Sequence, residues 1–379
     1  MKIVHLTSGH GLDSRIFHKE LDSLKKISSN ITYVLPEQLN TKEINGIRIC
    51  GYKTSNTHKY LRRFMNVINL YKNAKELCID IIHCHEPDSL FVGYILKKKF
   101  KCKLIYDSHE YHPEAFAERV PIIFKWIMEK IVFYIEKFLV KNTDYIVTVN
   151  ELLVEKFKKD NPNVISIPNY PKLELLNLKD DENDKKIDFI YIGRLARMRG
   201  ISKIIEASQI LKRKNIIFNV HFIGEFCSND YGVQINTLIN KYNLNNDITF
   251  HGYIEYGKIH SILKKAKAGL VLLQPDIYRY TICEPTKLFE YMGNGLPIIA
   301  NNYDIVRNII LANDCGILVD PTDPTAIAKA MEEILKNPKK WNQKGKNGIK
   351  AIKEKYNWEI FGEKLRNVYR ELEVSISYD

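Results

Sequence analysis

Two segments of the chain carry the residue types that hold a phosphate. In Ile190-Tyr191-Ile192-Gly193-Arg194-Leu195-Ala196-Arg197-Met198-Arg199-Gly200 an apolar run ends at a glycine, and arginines follow. A guanidinium bonds phosphate oxygens in pairs, so Arg194 and Arg199 can address one anion beside a helix that starts near Gly200. A solvated basic loop is the plainer alternative. The second segment is Cys283-Glu284-Pro285-Thr286-Lys287-Leu288-Phe289-Glu290-Tyr291-Met292, followed by Gly293-Asn294-Gly295-Leu296-Pro297. Pro285 suits the first position of a helix, whose free N–H groups would face a phosphate. Glu290 lies one turn beyond Thr286 and Lys287 on the same face. A carboxylate at that depth suits a ribose diol, which it can bond with both oxygens.

Three more polar segments lie in the first half. Ser8-Gly9-His10-Gly11-Leu12-Asp13-Ser14 follows the opening apolar run. Its glycines let backbone N–H groups approach a phosphate or sugar. The string G-x-G-x-x-S misses a dinucleotide fingerprint by one residue, and the acid wanted about 20 positions on is not clearly placed. A tight functional turn fits better than a nicotinamide site; a plain turn is the alternative. His83-Cys84-His85-Glu86-Pro87-Asp88 and Asp107-Ser108-His109-Glu110 each combine histidine and acid at a strand end. Neither has H-E-x-x-H spacing, and His83 and His85 are assigned to alternating faces of their strand, so no metal is expected. Hydrogen bonding to a polar ligand suits His109.

Apolar runs must position these segments. Ile3–Leu6, Ile31–Leu35, Ile81–His85, Leu104–Tyr106, Ile146–Val149 and Ile165–Ile167 read as buried strands. Phe17–Lys26 and Tyr60–Cys78 show helical spacing between them. Strand and helix in alternation imply a parallel sheet covered on both faces. After Pro168-Asn169-Tyr170-Pro171 comes the charged stretch Leu178–Lys186, read as a linker. The series restarts with Phe189–Ile192, Asn219–Ile223, Thr249–Phe250, Gly269–Leu273, Pro297–Ala300 and Gly316–Val319. Ala326–Lys336 and Trp358–Glu371 are helical by spacing, and the second carries Ile360, Phe361, Leu365, Val368 and Tyr369 toward some docking surface. The expectation is an α/β chain of two doubly wound, Rossmann-like domains facing across a cleft. The first covers 1–172 plus the terminal helix 359–379, which crosses back to it; the second covers 187–358; the linker is about 173–186. Ligands of such sheets bind beyond the carboxyl ends of the strands, where all five segments fall.

At 379 residues two domains are the natural number. With 45% apolar and 27% charged residues the composition excludes disordered and collagen-like classes, and no run is long enough to span a membrane. The opening residues turn polar at Thr7 and read as a strand rather than a signal peptide. Seven scattered cysteines without C-x-x-C suggest reduced thiols and a cytoplasmic location. The net charge is +12, concentrated in Lys53–Lys75 and in Lys97, Lys98, Lys99, Lys101 and Lys103. Such charge can attract nucleic acid, anionic lipid or a phosphorylated small molecule. Pro121–Val140 is apolar with lysines spaced along it and, with Lys53–Lys75, could rest on the inner face of an anionic membrane; a packed helix of the first domain is the favoured alternative.

Taken in order, these residues are familiar. Gly193-Arg194-Leu195…Arg199-Gly200 and Lys287-Leu288-Phe289-Glu290-Tyr291-Met292-Gly293-Asn294-Gly295-Leu296-Pro297 resemble the retaining, nucleotide-sugar-dependent glycosyltransferases of family 4, which have the two-domain GT-B fold. Arg15-Ile16-Phe17-His18-Lys19-Glu20, His83-Cys84-His85-Glu86, Tyr106-Asp107-Ser108-His109-Glu110 and the segment around Trp358 support it, so the resemblance covers nearly the whole chain. It implies that His109, Arg194 and Arg199 are catalytic, the arginines on the donor diphosphate and His109 on the transferred sugar. Gly11, Glu284, Thr286, Lys287, Leu288 and Glu290 would bind the donor, with Glu290 on the ribose. His10, Asp13 and His85 fall on the acceptor side. The family often has lysine at the position of Arg199. It also has a glutamate where Ile282 stands; Glu284, two residues on, is the nearby acid.

The activity implied is glycosyl transfer from a nucleotide-sugar to a glycan or lipid-linked acceptor, with retention, in surface polysaccharide assembly. Arg194, Arg199, Lys287 and a helix N-terminus would stabilise charge on the departing diphosphate. That calls for no permanently bound cofactor and no metal. A GT-B-type sugar-nucleotide epimerase is the alternative within enzymes. A nucleic-acid-binding module is the alternative outside them, but Tyr60, Phe64 and Tyr71 have the spacing of a buried helical face, and no nucleic acid partner is expected.

Overall fold

The computed structural model describes residues 1–37, 41–54, 59–118, 120–176 and 185–378, without the side chains of 59–61, 175, 256, 377 and 378. Contacts divide the chain into two compact units, Met1–Asn169 with Glu359–Asp379, and Tyr170–Trp358.

The first unit holds strands β1 (Lys2–Leu6), β2 (Asn30–Leu35), β3 (Lys42–Ile44), β4 (Ile47–Gly51), β5 (Ile81–Cys84), β6 (Lys103–Ser108), β7 (Tyr145–Thr148) and β8 (Val164–Ser166). Their order is β3-β4-β2-β1-β5-β6-β7-β8. All pairs are parallel except β3 with β4. That pair is a hairpin the strand reading missed. Its signal was Asn45-Gly46, both at positive φ (52° and 74°), which matches the twist of the flanking strands. Val4, Leu6, Ile82, Leu104 and Ile146 build the core between the sheet and the helices Lys59–Ala74, Pro87–Phe100 and Lys125–Lys141.

The helix expected over Phe17–Lys26 is instead a π-helical turn, Ile16–Leu21, running into Asp22–Leu24. The Glu20 N–H reaches back five residues to the Arg15 carbonyl (3.0 Å). The wider turn brings Arg15, Lys19 and Glu20 all inward, which ordinary 3.6-residue periodicity does not anticipate.

Helix Lys125–Lys141 buries only the stripe Val132, Glu136, Leu139 and Val140. It packs on the first unit, as the favoured expectation had it, but its other face is open. The terminal helix, Trp358–Tyr378, packs on the first unit through Leu365, Val368, Tyr369 and Leu372; Ile360, expected on that face, is exposed.

The second unit holds β9 (Ile187–Ile192), β10 (Val220–Ile223), β11 (Ile248–Phe250), β12 (Ala266–Val271), β13 (Ile298–Asn301) and β14 (Gly316–Val319), ordered β11-β10-β9-β12-β13-β14 and all parallel. Phe189, Tyr191, Ile204, Phe222, Leu270 and Met331 centre its core. Of the linker expected at about 173–186, residues 177–184 lie outside the described residues. Leu176 is buried in the second unit against Gly293.

Candidate functional site

In the second unit the sheet delivers a loop and a helix to one place. β9 ends at Ile192, and Gly193 follows at φ +112°. The next strand end presses against it: a Cβ on Gly224 (φ +136°) would run into the Gly193 carbonyl. The Tyr191 hydroxyl donates to the Arg194 carbonyl (3.0 Å), fixing the turn. Gly200, at φ +76°, caps the helix Ile201–Arg213, as the sequence reading expected. Helix Thr286–Gly293 is tied to the same strand end, because the Ile192 N–H donates to the Tyr291 hydroxyl (2.9 Å). Pro285 precedes this helix as its N-cap rather than occupying the first helical position.

Lys287 is the residue on which this site turns. It is buried, and among the described residues it makes no ion pair. Its Nζ lies 3.7 Å from the centre of the Tyr191 ring, beside Gly193. Burial, then the charge of Arg199, pushes its pKa well below the usual lysine value; Glu290 acts the other way. Arg199 is half-buried with its guanidinium over the Tyr280 ring (4.6 Å). Arg194 is exposed and reaches the Cys227 carbonyl at 3.4 Å. Glu290 is half-buried and Thr286 exposed. The Glu284 carboxylate accepts a bond from the Tyr170 hydroxyl (3.1 Å). The side chain of Leu288 is wholly in the core, and its N–H already donates to the Pro285 carbonyl (2.9 Å). A dry lysine, an arginine beside it and a helix N-terminus are groups whose chemistry suits a diphosphate.

The first unit gathers a different set. The Glu86 carboxylate accepts from Thr7 Oγ1 (2.5 Å) and from the N–H groups of Ser8 (3.1 Å) and Gly9 (3.3 Å). Glu37 takes the Leu12 N–H (3.2 Å), and the Gly11 carbonyl accepts from Tyr33 (2.9 Å). Several N–H groups of the glycine loop, expected to face a phosphate, therefore already serve two carboxylates. His10 bonds Asp13 (2.9 Å). Burial disfavours the charge on His10, but that bond and the nearby Glu86 outweigh it and raise its pKa. Burial acts against the Asp13 charge too, yet His10 draws its pKa down to about 2.

Behind this loop lies a buried polar cluster. Arg15 is held by Asp107 (2.9 and 3.0 Å) and by Glu20 (2.8 Å). His109 Nε2 lies 3.0 Å from Asp107 and 3.3 Å from His85, so its orientation is set from below. Its ring also borders a cavity of about 790 Å³ with His10, Arg62, Arg63, Glu86 and His112. His85 Nε2 meets His5 (2.9 Å), and the Tyr369 hydroxyl joins His5 Nε2 (2.9 Å) to His83 Nδ1 (2.7 Å). Burial lowers the pKa of His5 and His83 far, and that of His85 to about 4, so these imidazoles are neutral near pH 7. The assignment of His83 and His85 to alternating faces was wrong. Residues two apart on a strand share a face, and their rings stack at 4.7 Å. Glu20, His83, His85 and Asp107 thus bring four donor atoms within 4.8 Å of one another. The guanidinium of Arg15, in contact with both carboxylates, opposes a further cation there.

Arg15, Glu20 and His5 were given no role in the sequence reading, and Tyr369 was read only as apolar. For the first two the signal was R-x-x-x-K-E beside an apolar run. Tyr369 had none, since its partners are 286 and 364 residues away. Tyr369→Phe should destabilise the fold by about 1–3 kcal/mol, because it strands two buried imidazole nitrogens. An unchanged urea midpoint would mean that water replaces the hydroxyl.

Comparison with known proteins follows this geometry. The family description "Glycosyltransferase Family 4" matches residues 28–169, and "Glycosyl transferases group 1" matches 177–351. An uncharacterized glycosyltransferase of Methanocaldococcus jannaschii is 25% identical, over 97% of this chain and 92% of its own. The putative glycosyltransferase EpsD of Bacillus subtilis is 23% identical over 76% and 74%. Sucrose-phosphate synthase of Thermosynechococcus elongatus superposes with a TM-score of 0.81 at 17% identity, covering 98% of this chain and 99% of that one. HepE of Anabaena, solved with UDP-glucose, gives 0.72 at 15%, covering 98% and 100%. Two Rossmann-like parallel sheets with these likenesses define a transferase of the GT-B fold. Within that class, the chain is a glycosyltransferase of family 4 type.

Proposed function

We propose that the protein moves a sugar from a nucleotide-sugar to a glycan or lipid-linked acceptor with retention of anomeric configuration. Its setting is surface polysaccharide assembly, in the cytoplasm and peripheral to the membrane. The observation that carries the reading is Lys287, a buried lysine that makes no ion pair among the described residues, beside Arg199 at the start of helix Thr286–Gly293. A diphosphate would supply the missing charge. As the glycosidic bond breaks, charge grows on the leaving diphosphate, and fixed cations in a dry site stabilise it without reorganising. Arg194 is exposed and would close on the outer phosphate. Glu290 would hold the ribose. In the first unit, His109, steadied by Asp107, would contact the transferred sugar, with His10 and Asp13 on the acceptor side; His85, expected there too, is fully buried beneath His109 and supports that ring instead. The cations take the part a divalent ion would otherwise play, so no metal is called for. HepE has been solved with UDP and with UDP-glucose, which makes a UDP-sugar the first donor to test. Relatives include EpsD and a protein of a Klebsiella pneumoniae cps region, which favours a polysaccharide product.

The test is thermal stabilisation by UDP-, GDP-, ADP- and CMP-sugars with EDTA present throughout. A ligand of the folded state at about 100 times its Kd stabilises it by roughly 2.7 kcal/mol. One nucleotide should raise the melting temperature clearly, and Glu290→Ala should remove most of that rise. A full rise in Glu290→Ala would take Glu290 out of the site, and a rise that appears only when a divalent cation replaces the EDTA would refute the metal-free clamp.

A further inference from the structure

We propose that the first unit docks on an anionic lipid bilayer through one face of two helices, Lys125–Lys141 with the preceding segment Ile122–Phe124, and the outer side of Pro87–Phe100. This gives the peripheral reading above its surface, and rests on that reading only for the identity of the acceptor.

The face is apolar and open. Ile122 is 80% exposed, Ile123 74%, Trp126 65% and Phe138 55%. Ile127, Ile131, Tyr134 and Phe138 recur every three or four residues, so they form one stripe, opposite the buried Val132 and Leu139. Phe91 and Ile95 are exposed on the neighbouring helix, and Tyr94 meets Phe138 edge-on at 5.6 Å, so the two helices present one continuous surface. Monomeric soluble proteins rarely expose contiguous apolar patches above a few hundred Å².

Charge selects the occupant. Lys130 lies over Trp126 (4.0 Å), Lys98 over Tyr94 (5.6 Å), and Lys125 is exposed at the helix start. The helix has two glutamates. Glu136 is buried and bonded to Tyr106 (2.7 Å), and Glu129 is half-buried. Aromatic rings, aliphatic side chains and lysines on one helix face suit the headgroup boundary of an anionic membrane, where lysine stems lie along apolar surface and the ammonium groups meet phosphate. A two-fold contact with a second copy would bring two copies of this same basic face together. Among the described residues no helix is long and apolar enough to cross the membrane, so the helix lies on it.

Of the basic stretch Lys53–Lys75, expected to share this contact, residues 55–58 and the side chains of 59–61 lie outside the described residues, and Arg62 and Arg63 are engaged elsewhere. Arg63 bonds Asp88 (2.6 Å), lies over Phe116 (4.1 Å), and with Arg62 lines the cavity beside His109.

The experiment is flotation of the full chain with vesicles of phosphatidylcholine alone and of an equimolar mixture with phosphatidylglycerol. Wild type should float with the mixed vesicles and not with the neutral ones. Trp126→Ser with Ile131→Ser should lower the partition coefficient roughly ten-fold or more while the thermal transition persists, since each side chain loses its apolar transfer. Lys98→Glu with Lys130→Glu should remove the preference for anionic lipid. Arg62→Ala with Arg63→Ala should float like wild type. Failure of wild type to bind mixed vesicles overturns the proposal. So does binding lost in the arginine variant alone, or a dimer in lipid-free sedimentation that the Trp126/Ile131 variant dissociates. Flotation uses neither donor nor acceptor, so it can fail while the nucleotide-sugar shift succeeds, and the reverse.

Discussion

Lys287→Met should raise the melting temperature of the protein while removing most of its turnover. The two effects have one cause. Lys287 is buried and among the described residues makes no ion pair, so folding works against its charged form, which water would solvate better. Methionine keeps an unbranched stem and drops the charge. Each unit by which the lysine pKa is depressed corresponds to about 1.4 kcal/mol recovered on removing that burden. Turnover should fall roughly 10²–10³-fold, the usual loss when one preorganised group facing a developing charge is removed. Calorimetry and initial rates with the donor found by thermal shift measure both. A lower melting temperature would mean that the contact of the ammonium with the Tyr191 ring outweighs the cost of its burial. Undiminished turnover would place the clamp elsewhere. The same lysine links binding to protons. A diphosphate raises its depressed pKa, so donor binding should take up a proton between the free and bound values, and affinity should fall as pH rises through that interval.

Asp107→Ala should cost roughly 3–5 kcal/mol, because it removes the main partner of the buried Arg15. Burial opposes the Asp107 charge, but Arg15 and then His109 outweigh it and hold its pKa well below the usual carboxylate range. Its stabilisation is therefore present above the unfolded value of about 3.9 and is lost as pH falls through the folded one. Glu20 runs oppositely. Burial and the charge of Asp107 raise its pKa, so its contribution is present below the unfolded value and is lost as pH rises through the folded one. Removing Asp107 lets Glu20 ionise against Arg15, which places the loss toward the lower end of the range. Urea midpoints between pH 3 and 8 check this: as pH rises, wild type should lose the contribution of Glu20 and the variant should not, since Glu20 no longer faces Asp107. The same loss in the variant would put the proton elsewhere in the cluster.

The fold was largely legible because parallel strands buried on both faces are written as continuous apolar runs. Every run read as a strand overlaps one, although the ends move. What escaped was punctuation and local geometry. Asn45-Gly46 was a hairpin signal left unread, and the π-helical turn at Ile16–Leu21 breaks the periodicity by which helices are recognised. Lys287, Arg199 and Glu290 were legible because one loop and one helix carry them at fixed offsets from strand ends.

The sequence by itself determined two parallel-sheet units, their strand ends and the residue types gathered there, since these follow from local periodicity and spacing. Only the tertiary structure decided which of those groups are dry and which are paired. It left Lys287 buried with no ion pair among the described residues, gave Glu86 the N–H groups of Ser8 and Gly9, and joined Tyr369 to His5 and His83. It also left one face of Lys125–Lys141 open. Desolvation and pairing depend on contacts between residues far apart in the chain, which no local pattern encodes.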